Sequence, residues 1–140
     1  MIHIYTDGSY NETTDTVGFG FVIVSSEGRV IRRGLGTWHN WTESRNVTGE
    51  CVAALQAIST LHDLGYFDEP ITIHHDYEGV AKWINGEWQA KKELTRWYVG
   101  RFITDCNAFH YHYRFEHVTA HSGDEWNEEA DRLAKGACEL

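Results

Sequence analysis

With 140 residues, 41% hydrophobic and 24% charged, the chain has the size and balance of one globular domain that buries its own core. Its apolar runs are too short to cross a membrane, its amino terminus lacks the basic and apolar regions of a signal peptide, and Cys51, Cys106 and Cys138 show no paired or metal-like spacing, which predicts a cytoplasmic protein with no membrane contact. A formal net charge of −9 argues against a whole-molecule electrostatic grip on nucleic acid, although acids gathered in one place attract divalent cations and invert the local field.

The chain opens with Ile2-His-Ile-Tyr-Thr-Asp7-Gly8-Ser9, whose alternating apolar positions predict a strand. Asp7 closes that apolar run, and Gly8 is read as the turn that follows it. Gly18 to Ser25 reads as a second strand and Arg29 to Thr37 as a third, joined by a hairpin-like turn at Ser26-Glu-Gly28. Val47, Cys51, Ala54, Leu55, Ile58 and Leu61 then recur at helical spacing, which predicts a helix ending near Leu64 with Gly65 as its stop. Pro70 introduces a strand from Ile71 that ends in Asp76. A short helix from about Glu78 to Ile84, a break at Gly86 and a longer helix around Lys91 to Cys106 come next. Tyr111 to Val118 alternates as a last strand, and a final helix spans about Asp124 to Ala137.

Three leading strands joined by turns predict an antiparallel start. The helix-separated strands need crossovers and are expected to pair in parallel beside the first. Parallel neighbours present their carboxyl ends on one edge, where ligands commonly bind, so Asp7 and Asp76 are expected at adjacent strand tips. Glu50 shares a helical stripe with Ala54, Ala57 and Leu61, and Asp131 lies between Ala130 and Leu133-Ala134. An acid on an apolar stripe is costly unless it is paired or bound to metal. Any one of the four could be a turn cap or a solvated acid, but four aimed at one sheet edge predict a cation site. Oxygen-only ligands suit Mg²⁺, with Mn²⁺ as a substitute.

Five motifs follow in order: Tyr5-Thr6-Asp7-Gly8-Ser9, Gly18-Phe19-Gly20, Asn46-Val-Thr-Gly-Glu50 before an alanine-rich helix, Ile73-His-His-Asp76, and His121-Ser122-Gly123 followed by Asn127-Glu-Glu-Ala-Asp131. In order and spacing they resemble those of the type 1 ribonucleases H over nearly the whole chain. The resemblance implies an α/β fold with a mixed five-stranded sheet, three antiparallel strands followed by parallel ones, and helices on both faces. It implies one catalytic domain over residues 1–140, with no separate hybrid-binding domain. The implied activity is endonucleolytic cleavage of the RNA strand of RNA–DNA hybrids with two Mg²⁺ ions, giving 5′-phosphate products. Asp7 would be shared by both ions, Glu50 and Asp76 would complete the first site, and Asp131 would serve the second. His121 would assist proton transfer or product departure.

For substrate contact, the resemblance points to the backbone around Gly8 and Ser9 and to Asn46. Arg45 stands where relatives often carry threonine and offers a phosphate contact. Between Asp76 and His121 the chain is short where some relatives carry a basic protrusion. Trp88, Lys91 and Lys92 are the residues expected to touch the DNA strand. The other eight histidines are read as ordinary residues, with His110, His112 and His117 at the surface rather than in a zinc site. A monomer is expected. Another nuclease of the same fold, such as a junction resolvase or proofreading exonuclease, and a catalytically silent hybrid-binding module are the competing readings.

Overall fold

The computed structural model describes residues 1–119 and 124–139. The strands are β1 (Ile2–Asn11), β2 (Thr16–Ser25), β3 (Val30–Trp38), β4 (Pro70–His75) and β5 (His112–His117). The helices are α1 (Asn46–Asp63), α2 (Gly79–Asn85), α3 (Glu93–Phe109) and α4 (Glu125–Cys138). The strands form one five-stranded sheet in the order β3-β2-β1-β4-β5. The β1–β2 and β2–β3 pairs are antiparallel, whereas β1–β4 and β4–β5 are parallel. This is the mixed sheet that the motif order implied. No helix among the described residues is long and apolar enough to cross a membrane.

Alternation along each strand sorts side chains between two layers. Ile2, Ile4, Phe19, Phe21, Ile23, Ile71 and Ile73 face α1 and α3 and join the main core with Val52, Ile58, Leu94 and Phe102. Tyr5, Val22 and Val24 face the other way, where Ala130 of α4 meets them. Phe19 and Phe21 therefore fill one side of β2, while Gly18 and Gly20 leave room for α4 on the other. A Cβ added to Gly20 would come within 2.6 Å of the Ala130 carbonyl oxygen and 2.7 Å of the Ala134 nitrogen.

Gly8 requires a correction. Expected as a turn, it lies inside β1, which keeps its antiparallel ladder through Asp7↔Gly20 and Gly8↔Phe19 to Asn11↔Thr16. Its lack of a side chain serves a close crossing with α1. A Cβ on the facing Gly49 would sit 2.8 Å from the Gly8 Cα and 3.2 Å from the Ser9 nitrogen. What ends near Asp7 is the parallel partner, since β1–β4 pairing stops at Tyr5↔His74. Asp7 and Asp76 each stand two residues beyond that last pair. Smaller differences lie at element ends. The longer helix starts at Glu93 and runs to Phe109, with the Lys92 N–H donating to the Thr95 hydroxyl at 3.1 Å.

Gly49→Ala is expected to destabilise the protein by about 2 kcal/mol, since the methyl group would overpack a backbone-on-backbone contact. Gly100→Ala, with nothing within 4 Å of the added Cβ, is expected to be neutral or to stabilise α3 by up to about 1 kcal/mol. Urea-denaturation midpoints measure both. Equal midpoints for the two variants would show that the sheet does not need the close crossing.

Candidate active site

Where the β1–β4 pairing ends, a cavity of about 380 Å³ opens whose wall includes Asp7, Gly8, Asn46, Glu50, Asp76 and Asp131. Each acid arrives on a different element. Asp7 is held inside β1 by its ladder with β2, and its Oδ1 accepts from the Gly8 N–H at 2.9 Å. Glu50 comes from the first turns of α1, Asp76 follows the last residue of β4, and Asp131 projects from α4. One oxygen from each of Asp7, Glu50 and Asp76 lies within 4.8 Å of the other two. The Asp131 Oδ2 receives the Lys135 ammonium at 3.0 Å.

Burial decides the electrostatics here. Glu50 is 2% exposed and Asp7 5%. Burial is the main force pushing the Asp7 carboxyl up to about 7; a hydrogen bond with Glu50 opposes it, the Asp76 charge and the contact with Asp131 add to the rise, and the Gly8 N–H pulls slightly down. Glu50 is driven well above the usual carboxylate range, first by burial and then by the charges of Asp7 and Asp76. Its Oε2 is buried and has no hydrogen-bond partner among the described residues. A buried acceptor without a donor is costly, and so is a cluster of like charges. A divalent cation relieves both, and an all-oxygen donor set suits a hard ion. The residues present therefore fit such a cation.

The residues expected at the substrate divide into several groups. Gly8 and Asn46 line the acid cavity itself, and Ser9 follows Gly8 in β1. Lys91 and Lys92 line a second cavity of about 250 Å³ beside Trp83 and Leu94. Tyr77 is in the wall of both cavities, so the two adjoin. Trp88 is not in either wall. It packs edge-on against Trp83, with ring centres 5.7 Å apart, and under the Lys82 ammonium. Arg45 also stands apart from both walls, its guanidinium 5.5 Å from the centre of the Tyr10 ring. His121 lies outside the described residues.

Four residues of the acid cavity carried no expected role: Tyr77, Asn127, Glu128 and Lys135. Tyr77 directly follows Asp76, and Asn127 lies one helical turn before Asp131 and so on the same face of α4. Asn127 is buried, and its Oδ1 has no partner among the described residues. The spacing of Asn127 to Asp131 was a usable signal for it.

A family profile described as RNase H matches residues 1–139. The ribonuclease H of Anaplasma marginale is 30% identical to this chain, over 99% of the chain and 90% of that protein. The ribonuclease HI of Synechocystis sp. is also 30% identical, over 97% and 86% respectively. Among solved structures, RNase H1 from the halophilic archaeon Halobacterium salinarum superimposes with a TM-score of 0.82 at 26% identity, covering 99% of this chain and 97% of that one. LC11-RNase H1, solved in complex with an RNA/DNA hybrid, shares the fold with a TM-score of 0.85 at 20% identity, with the same coverage.

The raised Asp7 carboxyl has a measurable consequence in the cation-free protein. Unfolded, the group loses its proton near 3.8, whereas folded it keeps it to about 7. Between those values the folded state binds more protons, so this group's effect is that stability falls as pH rises. The Tm of the parent protein is expected to drop relative to that of Asp7→Asn across this window. Parallel Tm curves for the two proteins would contradict the assignment.

Proposed function

The chain belongs to the ribonuclease H family, and from that premise we propose that it cuts the RNA strand of RNA–DNA hybrids internally, using two Mg²⁺ ions, with Mn²⁺ as a substitute. The observation that carries this reading is the meeting of Asp7, Glu50 and Asp76 within 4.8 Å in a mostly buried corner. The hybrid bound by LC11-RNase H1 supports the choice of substrate. Asp7, Glu50 and Asp76 would hold the first ion and Asp131, with Asp7, the second; bound there, the ions would supply a polarised water and charge stabilisation for the leaving oxygen of the phosphodiester. Hydrolysis adds the water oxygen to phosphorus and breaks the P–O3′ bond, leaving 5′-phosphate and 3′-hydroxyl ends.

The chain's own groups orient this chemistry. The ladder to β2 fixes Asp7, while burial holds the Glu50 carboxyl in place. The Gly8 N–H is engaged by Asp7, so it orients the carboxylate rather than the substrate. Asn46, on the rim of the acid cavity, is positioned for the sugar edge of the RNA strand, where the 2′-hydroxyl distinguishes it from DNA. Lys91 and Lys92, in the adjoining cavity, are positioned for DNA-strand phosphates. Arg45 and Trp88 are poorer candidates, because each already stacks within the protein. His121 keeps the proton-transfer or product-departure role that the motif implies. With a net charge of −9 and few basic contacts, affinity for the hybrid should be weak and should depend markedly on Mg²⁺.

A labelled RNA–DNA hybrid, the matching duplex RNA and the duplex DNA, each with Mg²⁺ or chelator, test this reading. Cleavage confined to the RNA of the hybrid is expected. Asp7→Asn should lower it by roughly 10²–10³-fold, the scale of losing one group aligned with transition-state charge. Cleavage of duplex DNA would favour another nuclease of the same fold, and binding without cleavage a silent module. The double variant Lys91→Ala/Lys92→Ala should raise KM, leave kcat nearly unchanged and flatten the salt dependence of binding. An unchanged salt dependence would remove these lysines from the interface.

A further inference from the structure

A third cavity, of about 230 Å³, shares no lining residue with the acid site and lies between α2 and the ends of β4 and β5. Two histidines in its wall, His75 and His117, are register partners on these neighbouring parallel strands. Their ring centres are 5.6 Å apart. His75 Nδ1 lies 2.9 Å from the Tyr77 carbonyl oxygen, and His117 Nε2 lies 2.8 Å from that of Asp76. A carbonyl oxygen only accepts, so each of these nitrogens carries the ring proton. In neutral imidazoles the opposite nitrogens, His75 Nε2 and His117 Nδ1, are then bare lone pairs. Neither has a hydrogen-bond partner among the described residues.

An imidazole whose other nitrogen donates to a backbone carbonyl is the usual form of a metal-ligating histidine, because that bond fixes the tautomer and the ring plane. Two such rings on one tetrahedral ion, each nitrogen at about 2.0–2.1 Å, place their centres about 5 Å apart. The separation found here is close to that. Glu78 and Glu87 line the same cavity and outnumber its one ammonium, Lys82. Glu78 is half-exposed and tied only loosely to Lys82, at 3.5 Å, so its carboxylate is free to swing inward. We infer that His75 and His117 form a site for a zinc-class transition cation, with Glu78 as the third protein ligand and water in the remaining position. Nitrogen donors make it chemically distinct from the all-oxygen acid cluster. It would also tether β4 to β5 one residue before Asp76, through a ring already bonded to the Asp76 carbonyl.

The test titrates Zn²⁺ into tag-free protein saturated with Mg²⁺, following heat and the ring-nitrogen resonances of the histidines. One equivalent is expected to bind and to shift His75 Nε2 and His117 Nδ1. His117 is exposed, so His117→Ala should fold normally, and it should weaken Zn²⁺ at least about tenfold. Glu78→Gln should weaken it less. No binding, binding unaffected by His117→Ala, or shifts at His3 and His74 instead would overturn the inference.

Discussion

Bringing three carboxylates into one mostly buried corner works against folding in the absence of a cation. Asp7 and Glu50 have lost nearly all their water, the charges of Asp7 and Asp76 raise the cost of ionising Glu50, and the charge of Asp76 raises that of Asp7. The unpartnered Glu50 Oε2 adds a buried acceptor with no donor. Hydrophobic layers on both faces of the sheet supply the free energy that holds the groups there. A divalent cation bound there would recover that cost, and the fold's own strain would then favour the ion.

The rest of the architecture follows from that constraint. Asp7 must be rigid and yet accessible, and it is both because its antiparallel ladder continues where its parallel one stops. Glu50 reaches Asp7 only because α1 crosses β1 closely, glycine against glycine, at Gly8 and Gly49. On the opposite face, Gly20 gives α4 the same closeness, and α4 carries Asp131 and Asn127. Gly8, which pattern alone assigns to a turn, is thus a spacing device between layers, as are Gly49 and Gly20.

Much of this was legible in the sequence because the signals are local. Alternation in Ile2 to Tyr5 and helical spacing from Val47 to Leu61 mark elements whose faces can be assigned without a partner. Glu50 stood out because an acid on an apolar stripe conflicts with its surroundings. The role of Gly8 was misread because its cause, α1, lies far away in sequence. What Tyr77 faces is likewise set by packing between elements, whereas Asn127 shares a face of α4 with Asp131 and was legible from that spacing. His117 was rightly read as a surface residue, yet its partner ring is His75, on another strand. No spacing rule within one strand could have paired them.

Without a cation, the acid cluster holds protons instead. Calorimetric titration of Mn²⁺ near pH 6.5, just below the value of about 7 for Asp7, tests it when run in buffers of different ionisation enthalpy. Binding should release protons, so the observed heat should change with the buffer, and Asp7→Asn should reduce this dependence and remove most of the affinity. Heats that do not depend on the buffer, or equal proton release from Asp7→Asn, would contradict it.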